Sequence, residues 1–427
     1  MLRLPGGPVT GKTDPLSDVT ILGAGIVGIC CALSLQEKGL SVTLVDRNGP
    51  GEGASYGNAG VISPWSCVPQ CLPGTWKQVP GWLLDPKGPV RARIRDLPTI
   101  LPWAAKFLSN ARPDRVHRIS DTMDLLVRDN VTAYRRFLAG TGHEGLIRDS
   151  WLVNVFRGKT KPDLADYAWK LRIDHGAPLE VIDGNELRKI EPAVSREYHS
   201  AVVIKDQARA YAPGELCKVL AEKAIGQGAA FLQCSVAGLG PAPNGGFVLT
   251  TERGPIRARK LVLCGGIWSA ELLRPLGIRL PLMAERGYHL EFVDPGISVN
   301  NSILDTAGKF IVSSMAGGIR GAGTAEFTSI DAPPNYKRAQ ILKPLTKRLL
   351  PDLNTGKTRQ WMGIRPSFPD NLPAIGEVCG LEGLYAAFGH SHYGLGMAPA
   401  TGRMLANDVT GVAVNENRYS VSLARFL

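Results

Sequence analysis

The chain has 427 residues, of which 44% are hydrophobic and 20% are charged, and its formal net charge is +11 at pH 7. This length and composition suffice for two domains that enclose a large ligand, and they exclude a largely disordered chain. The charge favours anionic partners, but no nucleic-acid-binding motif accompanies it, so nucleic acid is not an expected partner, and the eight scattered cysteines predict neither disulfide bonds nor a metal site.

Residues 1–17 hold glycines and prolines and no apolar run, which predicts an N-terminal extension rather than a secretory signal. Elsewhere no segment reaches the roughly 18 apolar residues that a membrane-spanning helix needs. The sequence therefore predicts a cytoplasmic protein.

The segment DVTILGAGIVG, followed by SVTLVD, has the order of a dinucleotide-binding βαβ unit. Gly23 permits a tight turn after the first strand, Gly25 lets backbone N–H groups reach a pyrophosphate, and Gly28 lets the helix pack close to the strand. Asp46 ends the second strand, where a carboxylate accepts hydrogen bonds from an adenosine ribose. Arg47 either stacks on the adenine or is a solvated charge. A plain βαβ turn is the alternative to a dinucleotide site.

The segment after the second strand distinguishes two classes of dinucleotide-binding protein. A plain nicotinamide-binding domain continues at once with another helix and strand. This chain instead continues with ASYGNAGVISP and then with a loop rich in proline and tryptophan. The difference favours FAD over NAD as the cofactor.

Residues 76–115 form a basic-aromatic segment with eight lysines and arginines, three aspartates and three tryptophans. Such a composition is typical of a surface that contacts an anionic membrane peripherally, here at its inner face. The prolines at 80, 86, 89, 98 and 102 are expected to break any long amphipathic helix. A solvated loop that covers the substrate domain is therefore the favoured interpretation.

Several motifs along nearly the whole chain from Asp18 resemble those of the D-amino-acid-oxidase-like flavoprotein family, and in particular those of its bacterial D-amino-acid dehydrogenases. They are ASYGNAGVISP, the segment from Tyr211 to Leu239, KLVLCGGIWS, WMGIRPSFPDNLPAIG and GHSHYGLGMAPATG. The resemblance implies FAD as the cofactor. Noncovalent binding is expected, because Cys379, the cysteine near the C-terminal motifs, lies outside both of them.

The βαβ pattern and the resemblance together predict the residues of the cofactor site. The resemblance implies that Ser55 and Asn58 lie near the pyrophosphate and the isoalloxazine, and that backbone near Val236 holds the adenine. The N–H groups at the start of the last helix would face the O2 and N1 side of the flavin. The predicted set is Gly23, Gly25, Ile26, Val27, Gly28, Asp46, Arg47, Ser55, Asn58, Ala59, Gly60, Val236, Gly265, Trp268, Gly389, Gly394, Leu395, Gly396 and Met397.

Hydride transfer from an amino acid to a flavin needs orientation and a dry pocket more than acid–base groups. Arg365, in GIRPS, is the predicted anchor of the substrate carboxylate, because its planar fork matches two oxygens and because it resembles the carboxylate-binding arginine of related oxidases. A structural salt bridge is the alternative. Tyr288 and His289 alternate along GYHLEFV, so only one is expected to face the pocket. His390 and His392 flank the flavin turn, where an imidazole either stabilises charge on the reduced ring or bonds to backbone.

The expected fold is α/β. A Rossmann-like FAD-binding domain, with a doubly wound and mostly parallel sheet, is interleaved with an α+β substrate domain built on an antiparallel sheet. The predicted pieces are an extension at 1–17, the FAD-binding domain at 18–84, 196–284 and 357–427, and the substrate domain at 85–195 and 285–356.

The predicted function is FAD-dependent oxidative deamination of a D-amino acid, with a cyclic substrate such as D-proline or a hydroxyproline as one option. Hydride passes from Cα to flavin N5, and the product is an imino acid or a 2-oxo acid. Two alternatives stay open: a glycine- or sarcosine-type oxidase that makes hydrogen peroxide, and a flavin-binding subunit of a larger complex. The sequence leaves open whether a quinone or oxygen accepts the electrons, and it does not define the oligomeric state.

Overall fold

The computed structural model describes residues 16–77, 79, 81, 85, 88–413 and 418–427. Most of the predicted extension at 1–17 lies outside the described residues. So do Trp82 and Lys87 of the basic-aromatic segment.

The described residues form strands and helices along the whole length. The strands are β1 (Val19–Leu22), β2 (Val42–Asp46), β3 (Val61–Ile62), β4 (Val90–Ala92), β5 (Ile147–Asp149), β6 (Leu152–Phe156), β7 (Leu179–Asp183), β8 (Ser200–Ile204), β9 (Ala208–Ala210), β10 (Ala230–Gln233), β11 (Val236–Pro241), β12 (Phe247–Thr251), β13 (Ile256–Ala258), β14 (Lys260–Leu263), β15 (Met283–Val293), β16 (Ser302–Asp305), β17 (Phe310–Met315), β18 (Gly318–Phe327), β19 (Lys357–Ser367), β20 (Ala374–Glu377) and β21 (Leu384–Phe388). The α-helices are α1 (Ile26–Gln36), α2 (Leu97–Ser109), α3 (Pro113–Val127), α4 (Asn130–Leu138), α5 (Tyr167–Asp174), α6 (Gly184–Ile190), α7 (Pro213–Gly226), α8 (Ser269–Leu273), α9 (Lys337–Gln340), α10 (Leu342–Leu349) and α11 (Gly394–Val409).

The first sheet has six strands in the order β10–β2–β1–β14–β21–β20. Its neighbours are parallel except for β20, which runs antiparallel to β21. The central strands VTIL, KLVL and LYAAF consist mainly of apolar residues, as expected for parallel strands covered on both faces. Helices α1 and α11 pack so closely that a Cβ on Gly402 would collide with the carbonyl oxygen of Cys30. The predicted doubly wound, mostly parallel sheet is thereby confirmed.

The second sheet is larger, and most of its neighbours are antiparallel. Its strand order is β19–β15–β18–β17–β16–β6–β8–β7, with β4 added beside β18. The longest pairing joins β15 and β19, which are both 11 residues long. This pairing sets Glu285 opposite Arg365 and Gly287 opposite Gly363. Two smaller antiparallel sheets complete the fold, with the orders β11–β12–β13 and β3–β9–β5.

Two of the predicted domain boundaries differ from the pairing of the strands. The expected return to the FAD-binding domain at 196 precedes β8, and the one at 357 coincides with the start of β19, yet both strands pair within the large sheet. Helix α4, placed by prediction in the substrate domain, buries Tyr134 and Phe137 in the core of the first sheet. Sheet pairing joins residues far apart in sequence, which local composition does not reveal.

The basic-aromatic segment contains helix α2 rather than loop alone. Pro98 stands in its first turn, where a proline is tolerated, and the helix continues through Pro102 to Ser109. The expected break at Pro102 is therefore absent, because packing of Ile100 and Trp103 against Met283 holds this helix in place. No helix of the described residues is both long enough and apolar enough to cross a membrane.

Candidate active site

A cavity of about 1180 Å³ lies between the two main sheets. On one side it is lined by the carboxyl ends of β1, β2 and β14, and on the other side by β15, β18 and β19. Ligands of doubly wound sheets bind at the carboxyl ends of their strands. The cavity is therefore the candidate site for both the cofactor and the substrate.

The turn from β1 to α1 has the geometry that the glycine motif predicts. Gly23 has φ +116°, and a Cβ on it would collide with the carbonyl oxygen of Cys264. A Cβ on Gly28 would overlap the carbonyl oxygen of Gly23, so α1 starts close against β1. Ser55 Oγ accepts a hydrogen bond from the Ile26 N–H at 3.0 Å. The N–H groups of Gly25 and Val27 have no acceptor among the described residues, which fits a pyrophosphate at this helix terminus.

Asp46 lies at the end of β2 and lines the same cavity. Its carboxylate accepts hydrogen bonds from Ala24 N at 2.7 Å and from Asn48 N at 2.9 Å, which fixes its orientation. A carboxylate has further lone pairs, so these bonds leave it able to accept from ribose hydroxyls. Arg47 is exposed, and its guanidinium stacks on the ring of Trp268 at 3.9 Å. Both residues line the cavity beside Asp46.

Residues 55–60 follow the cavity wall toward the large sheet. Asn58 and Ala59 line the cavity, and Asn58 Oδ1 accepts a hydrogen bond from Gly60 N at 2.8 Å. The buried Arg320 donates to the carbonyl of Asn58 at 2.9 Å and is paired with Glu291 at 3.1 Å. This segment is thus attached to the large sheet through its backbone.

The C-terminal motif forms a turn and then the start of α11. Gly389 has φ +87° and Ser391 has φ +49°, both in the left-handed region. The N–H groups of Leu395 and Gly396 have no acceptor among the described residues, and both residues line the cavity. The hydroxyl of Ser391 is buried, lines the cavity and likewise has no partner in the described part of the chain. These unpaired donors suit the electron-rich edge of a flavin.

Arg365 and His392 meet at one buried carboxylate, that of Glu285. The carboxylate accepts from Arg365 Nη1 at 3.1 Å, from Ser367 Oγ at 2.9 Å and from His392 Nε2. The Arg365 guanidinium also donates to the carbonyl of Thr324 at 3.4 Å, and it lies against Gly287, where a Cβ would collide with it. Its Nη2, the guanidinium nitrogen beside Gly287, has no partner among the described residues, and Arg365 lines the cavity.

The protonation states of this cluster follow from its neighbours. Burial alone would raise the pKa of the Glu285 carboxyl, but His392, Arg365 and Ser367 together lower it to about 2. Burial and the positive charge of Arg365 lower the pKa of His392, although Glu285 opposes that shift. At neutral pH the cluster therefore holds an ionised carboxylate, a charged guanidinium and a neutral imidazole.

His390 and Tyr288 are less available than Arg365 and His392. His390 is buried, its Nε2 lies 2.9 Å from Thr401 Oγ1, and burial lowers its pKa to about 3. Tyr288 borders the cavity, but its hydroxyl donates to Glu326 at 2.5 Å and accepts from Asn335 N at 3.0 Å. Neither the imidazole of His390 nor the hydroxyl of Tyr288 is therefore positioned as a free acid or base.

Helix α2 provides an apolar wall of the cavity beside this cluster. Ile100, Trp103 and Phe107 line the cavity, and the Trp103 indole donates to the carbonyl of Ser367 at 3.0 Å. Trp103 also stacks on Phe107, with ring centroids 5.1 Å apart. The basic-aromatic segment thus covers the cavity with its apolar side.

Most of the predicted cofactor residues line the cavity, together with all four predicted catalytic residues. The exceptions are Gly28, Gly60 and Met397. Gly28 does not line the cavity but lets α1 approach β1 closely. Gly60 packs against the carbonyl of Ala210, and Met397 is buried in an apolar core. A helix or a turn exposes only some of its residues to a ligand, so a contiguous motif overstates the number of contacts.

Sequence reasoning missed Glu285, Gly287, Thr324, Ser367 and Ser391. The pattern E-R-G-Y-H did carry a signal, because a charged residue in an otherwise apolar strand calls for a partner. The identity of that partner depends on the register of β15 against β19, which the sequence does not state.

The chain matches the family model described as FAD dependent oxidoreductase (DAO) over residues 18–407. It is 35% identical over 400 residues to D-amino-acid oxidase from Bradyrhizobium diazoefficiens, with 92% of this chain and 95% of the relative covered. It is 30% identical over 421 residues to D-amino acid dehydrogenase from Allorhizobium ampelinum, with 96% and 98% covered. Its fold is similar to that of glycine oxidase from Geobacillus kaustophilus, with a TM-score of 0.72, 20% identity, and 96% and 99% covered.

The family match confirms the resemblance inferred from the sequence motifs, and with it FAD as the cofactor. It extends over both the glycine turn of β1 and the start of α11, whose unpaired N–H groups face one cavity. The chain therefore belongs to the DAO family of FAD-dependent oxidoreductases.

Proposed function

We propose that this enzyme oxidises the Cα–N bond of a D-amino acid and releases an imino acid, which hydrolyses to a 2-oxo acid or stays cyclic. Bound FAD supplies the two-electron acceptor for the hydride that leaves Cα. The names of the two relatives, a D-amino-acid oxidase and a D-amino acid dehydrogenase, support the choice of substrate class.

The observation that carries this proposal is the position of Arg365. Its guanidinium lines the same cavity as the glycine turn, and one side of it is held by Glu285 and by the Thr324 carbonyl. The other side, with Nη2, has no partner among the described residues. A fixed arginine with one open edge suits a substrate carboxylate, and it would direct Cα toward the flavin.

An anaerobic titration of the purified holoenzyme tests the proposal. The flavin absorbance is followed while paired D- and L-amino acids, glycine, sarcosine and both prolines are added. We expect D-amino acids to bleach the flavin and their L-counterparts to leave it oxidised. Bleaching by glycine or sarcosine alone would favour the oxidase alternative. A flavin that no amino acid bleaches would instead favour a subunit of a larger complex.

The proposal includes two further properties of the enzyme, which are its electron acceptor and a peripheral membrane contact. Mixing the reduced enzyme with oxygen or with a soluble quinone shows which one reoxidises the flavin. The exposed side chains of Trp76, Ile94 and Leu101 support a peripheral contact with anionic lipid. Pelleting with anionic vesicles but not with neutral ones would support that contact, and pelleting with neither would contradict it.

A further inference from the structure

His392 differs from His390, the other histidine that lines the cavity, in being bonded to a carboxylate and in being partly exposed. Its Nε2 is bonded to Glu285, whereas its Nδ1 has no partner among the described residues. The side chain is 33% exposed, and it lines the cavity. Because Nε2 is taken by Glu285, Nδ1 is the ring nitrogen that remains available to a ligand in this cavity.

We propose that His392 takes up the proton that the ammonium group of the substrate loses before hydride leaves Cα, and that Glu285 is the positioning residue that orients it. This inference rests on the proposed oxidation of an amino acid. It assigns to the chain a base that the hydride transfer itself does not require when the amine arrives neutral.

The chemistry calls for a neutral amine at the moment of oxidation. An amino acid near neutral pH carries an ammonium group, which has no lone pair to form a C=N bond. One N–H proton passes to His392 Nδ1, and the nitrogen lone pair then forms the C=N bond as the Cα–H leaves with its electron pair to the FAD. The substrate loses one proton and one hydride in total. The proton on the imidazolium passes to water at the open side of the cavity.

The contact with Glu285 determines which nitrogen of His392 can act. An ionised carboxylate only accepts hydrogen bonds, so Nε2 must carry the hydrogen. In the neutral ring, Nδ1 then holds the lone pair. The same carboxylate stabilises the imidazolium after the proton has moved, as a buried aspartate does in a catalytic triad.

The groups that face His392 make its basicity dependent on the substrate. They are Glu285 from β15 and Arg365 from β19, with Tyr393 on its own turn and Arg172 from α5 facing Tyr393. Arg365 disfavours a proton on His392 while no anion is bound to it. A substrate carboxylate on Arg365 cancels that charge, so the imidazole becomes a stronger base once the substrate has bound.

Neighbouring groups do not offer the same geometry. The Nε2 of His390 is within hydrogen-bond distance of Thr401, and its side chain is almost fully buried. The Tyr393 hydroxyl donates to the carbonyl of Val68 at 3.0 Å. The dyad of His392 and Glu285 is thus the arrangement that directs a lone pair at the substrate position.

Stopped-flow reduction of the flavin by a D-amino acid, measured between pH 6 and pH 10, tests the inference. We expect His392→Gln to lower the rate of reduction at neutral pH by about 10²- to 10⁴-fold, the usual contribution of a general base. The remaining rate should rise about tenfold per pH unit up to the pKa of the free substrate amine, and added imidazole should restore part of the loss. The exposed His143→Gln is the matched control and should keep the wild-type profile.

A second set of measurements separates this role from a structural one. Propionate has a carboxylate but no amine, so its Kd, read from the flavin spectrum, should not change in His392→Gln. Glu285→Gln should slow reduction yet tighten propionate binding, because Arg365 loses its internal counter-charge. If Glu285→Gln does not retain FAD, Ser367→Ala, which removes one bond to the carboxylate but keeps its charge, should slow reduction more weakly without tightening propionate binding.

The outcomes distinguish the inference from the function on which it rests. A wild-type flavin that D-amino acids fail to reduce would remove the proposed function. Normal reduction by the wild type, together with an unchanged pH profile in His392→Gln, would overturn only the role of His392. Weaker propionate binding in that variant would assign His392 to the carboxylate site instead.

Discussion

Arg365 stands where the two halves of the molecule meet, and its neighbours set how it can be used. Glu285 offsets part of its charge, and the carbonyl of Thr324 fixes the plane of its guanidinium. A fully unpaired arginine would bind any small anion tightly, whereas this one keeps only its outer edge available. Gly287 contributes by lacking a side chain at the point where the guanidinium lies.

We expect Arg365→Lys to raise the KM for the D-amino acid by about tenfold to 100-fold while FAD stays bound. Lysine keeps the positive charge but loses one of two parallel hydrogen bonds, each worth about 1.5–3 kcal/mol when charged. Steady-state kinetics and the flavin absorbance of the purified variant measure both effects. Arg359→Lys, on the exposed part of the same strand, is the control. An unchanged KM would leave Arg365 with a structural role only.

Some individual residues of the candidate site could be predicted from the sequence, and others could not. Arg365 and the glycines of β1 belong to short motifs, so their chemistry is legible from neighbouring residues. Glu285 has no motif of its own, because its role depends on a partner 80 residues away in the chain. The direction of the Tyr288 hydroxyl also depends on distant residues, Glu326 and Asn335.

The register between β15 and β18 is irregular, and this irregularity brings a backbone group of β18 into contact with Arg365 on β19. The pairing of β15 with β18 shifts between Gly287 and Tyr288, and the additional residue on β18 is Thr324, with φ +62°. A bulge of this kind turns a peptide group out of the regular ladder. Here the carbonyl of the bulged residue reaches Arg365, and its hydroxyl is buried without a partner in the described part of the chain.

The close packing of α1 against β1 at Gly28 leads to a prediction about FAD binding. We expect Gly28→Ala to raise the Kd for FAD by about fivefold to 100-fold, since overpacking costs about 1–3 kcal/mol and α1 must move away from β1. The absorbance ratio of flavin to protein after dialysis measures the loss. Gly226→Ala, at a helical glycine with open space around it, is the control and should retain FAD. Equal flavin content in both variants would contradict the close helix–strand packing described above.

Elements were predictable where the pattern is local and strong. The glycine turn, the apolar strands of the first sheet and the helix from Gly394 all follow from short motifs. Helix α2 was not expected to pass through Pro102. The packing that compensates for the lost hydrogen bond comes from Met283 on strand β15, which is distant in sequence. The membership of β8 and β19 in the large sheet is likewise a property of pairing.

On the scale of the whole molecule, buried histidines make stability dependent on pH. Burial lowers the pKa of His289 to about 3 and that of His390 to about 3. In the unfolded chain both rings bind a proton near pH 6.5. Between those values the unfolded state binds more protons, so the free energy of unfolding falls as the pH falls from about 6.5 toward 3.

We expect His289→Gln to reduce this loss by about 1.6 kcal/mol between pH 6.5 and pH 5, because the slope approaches about 1.4 kcal/mol per pH unit only below the pKa of the unfolded ring. Urea unfolding of the holoenzyme at several pH values provides the measurement. The same slope for His289→Gln and for wild type would show that His289 is not buried as a neutral ring. His143→Gln, which changes an exposed histidine, should leave the slope unaltered.

The strand order of the first sheet has a consequence for biosynthesis. Strand β14 lies between β1 and β21, so the sheet that holds the cofactor combines early and late parts of the chain. A ribosome that adds about 5–20 residues per second reaches β21 about 20 to 70 seconds after β1 has emerged. Until then the nascent glycine turn lacks its C-terminal counterpart. We therefore expect flavin binding to be completed only after β21 has been synthesised.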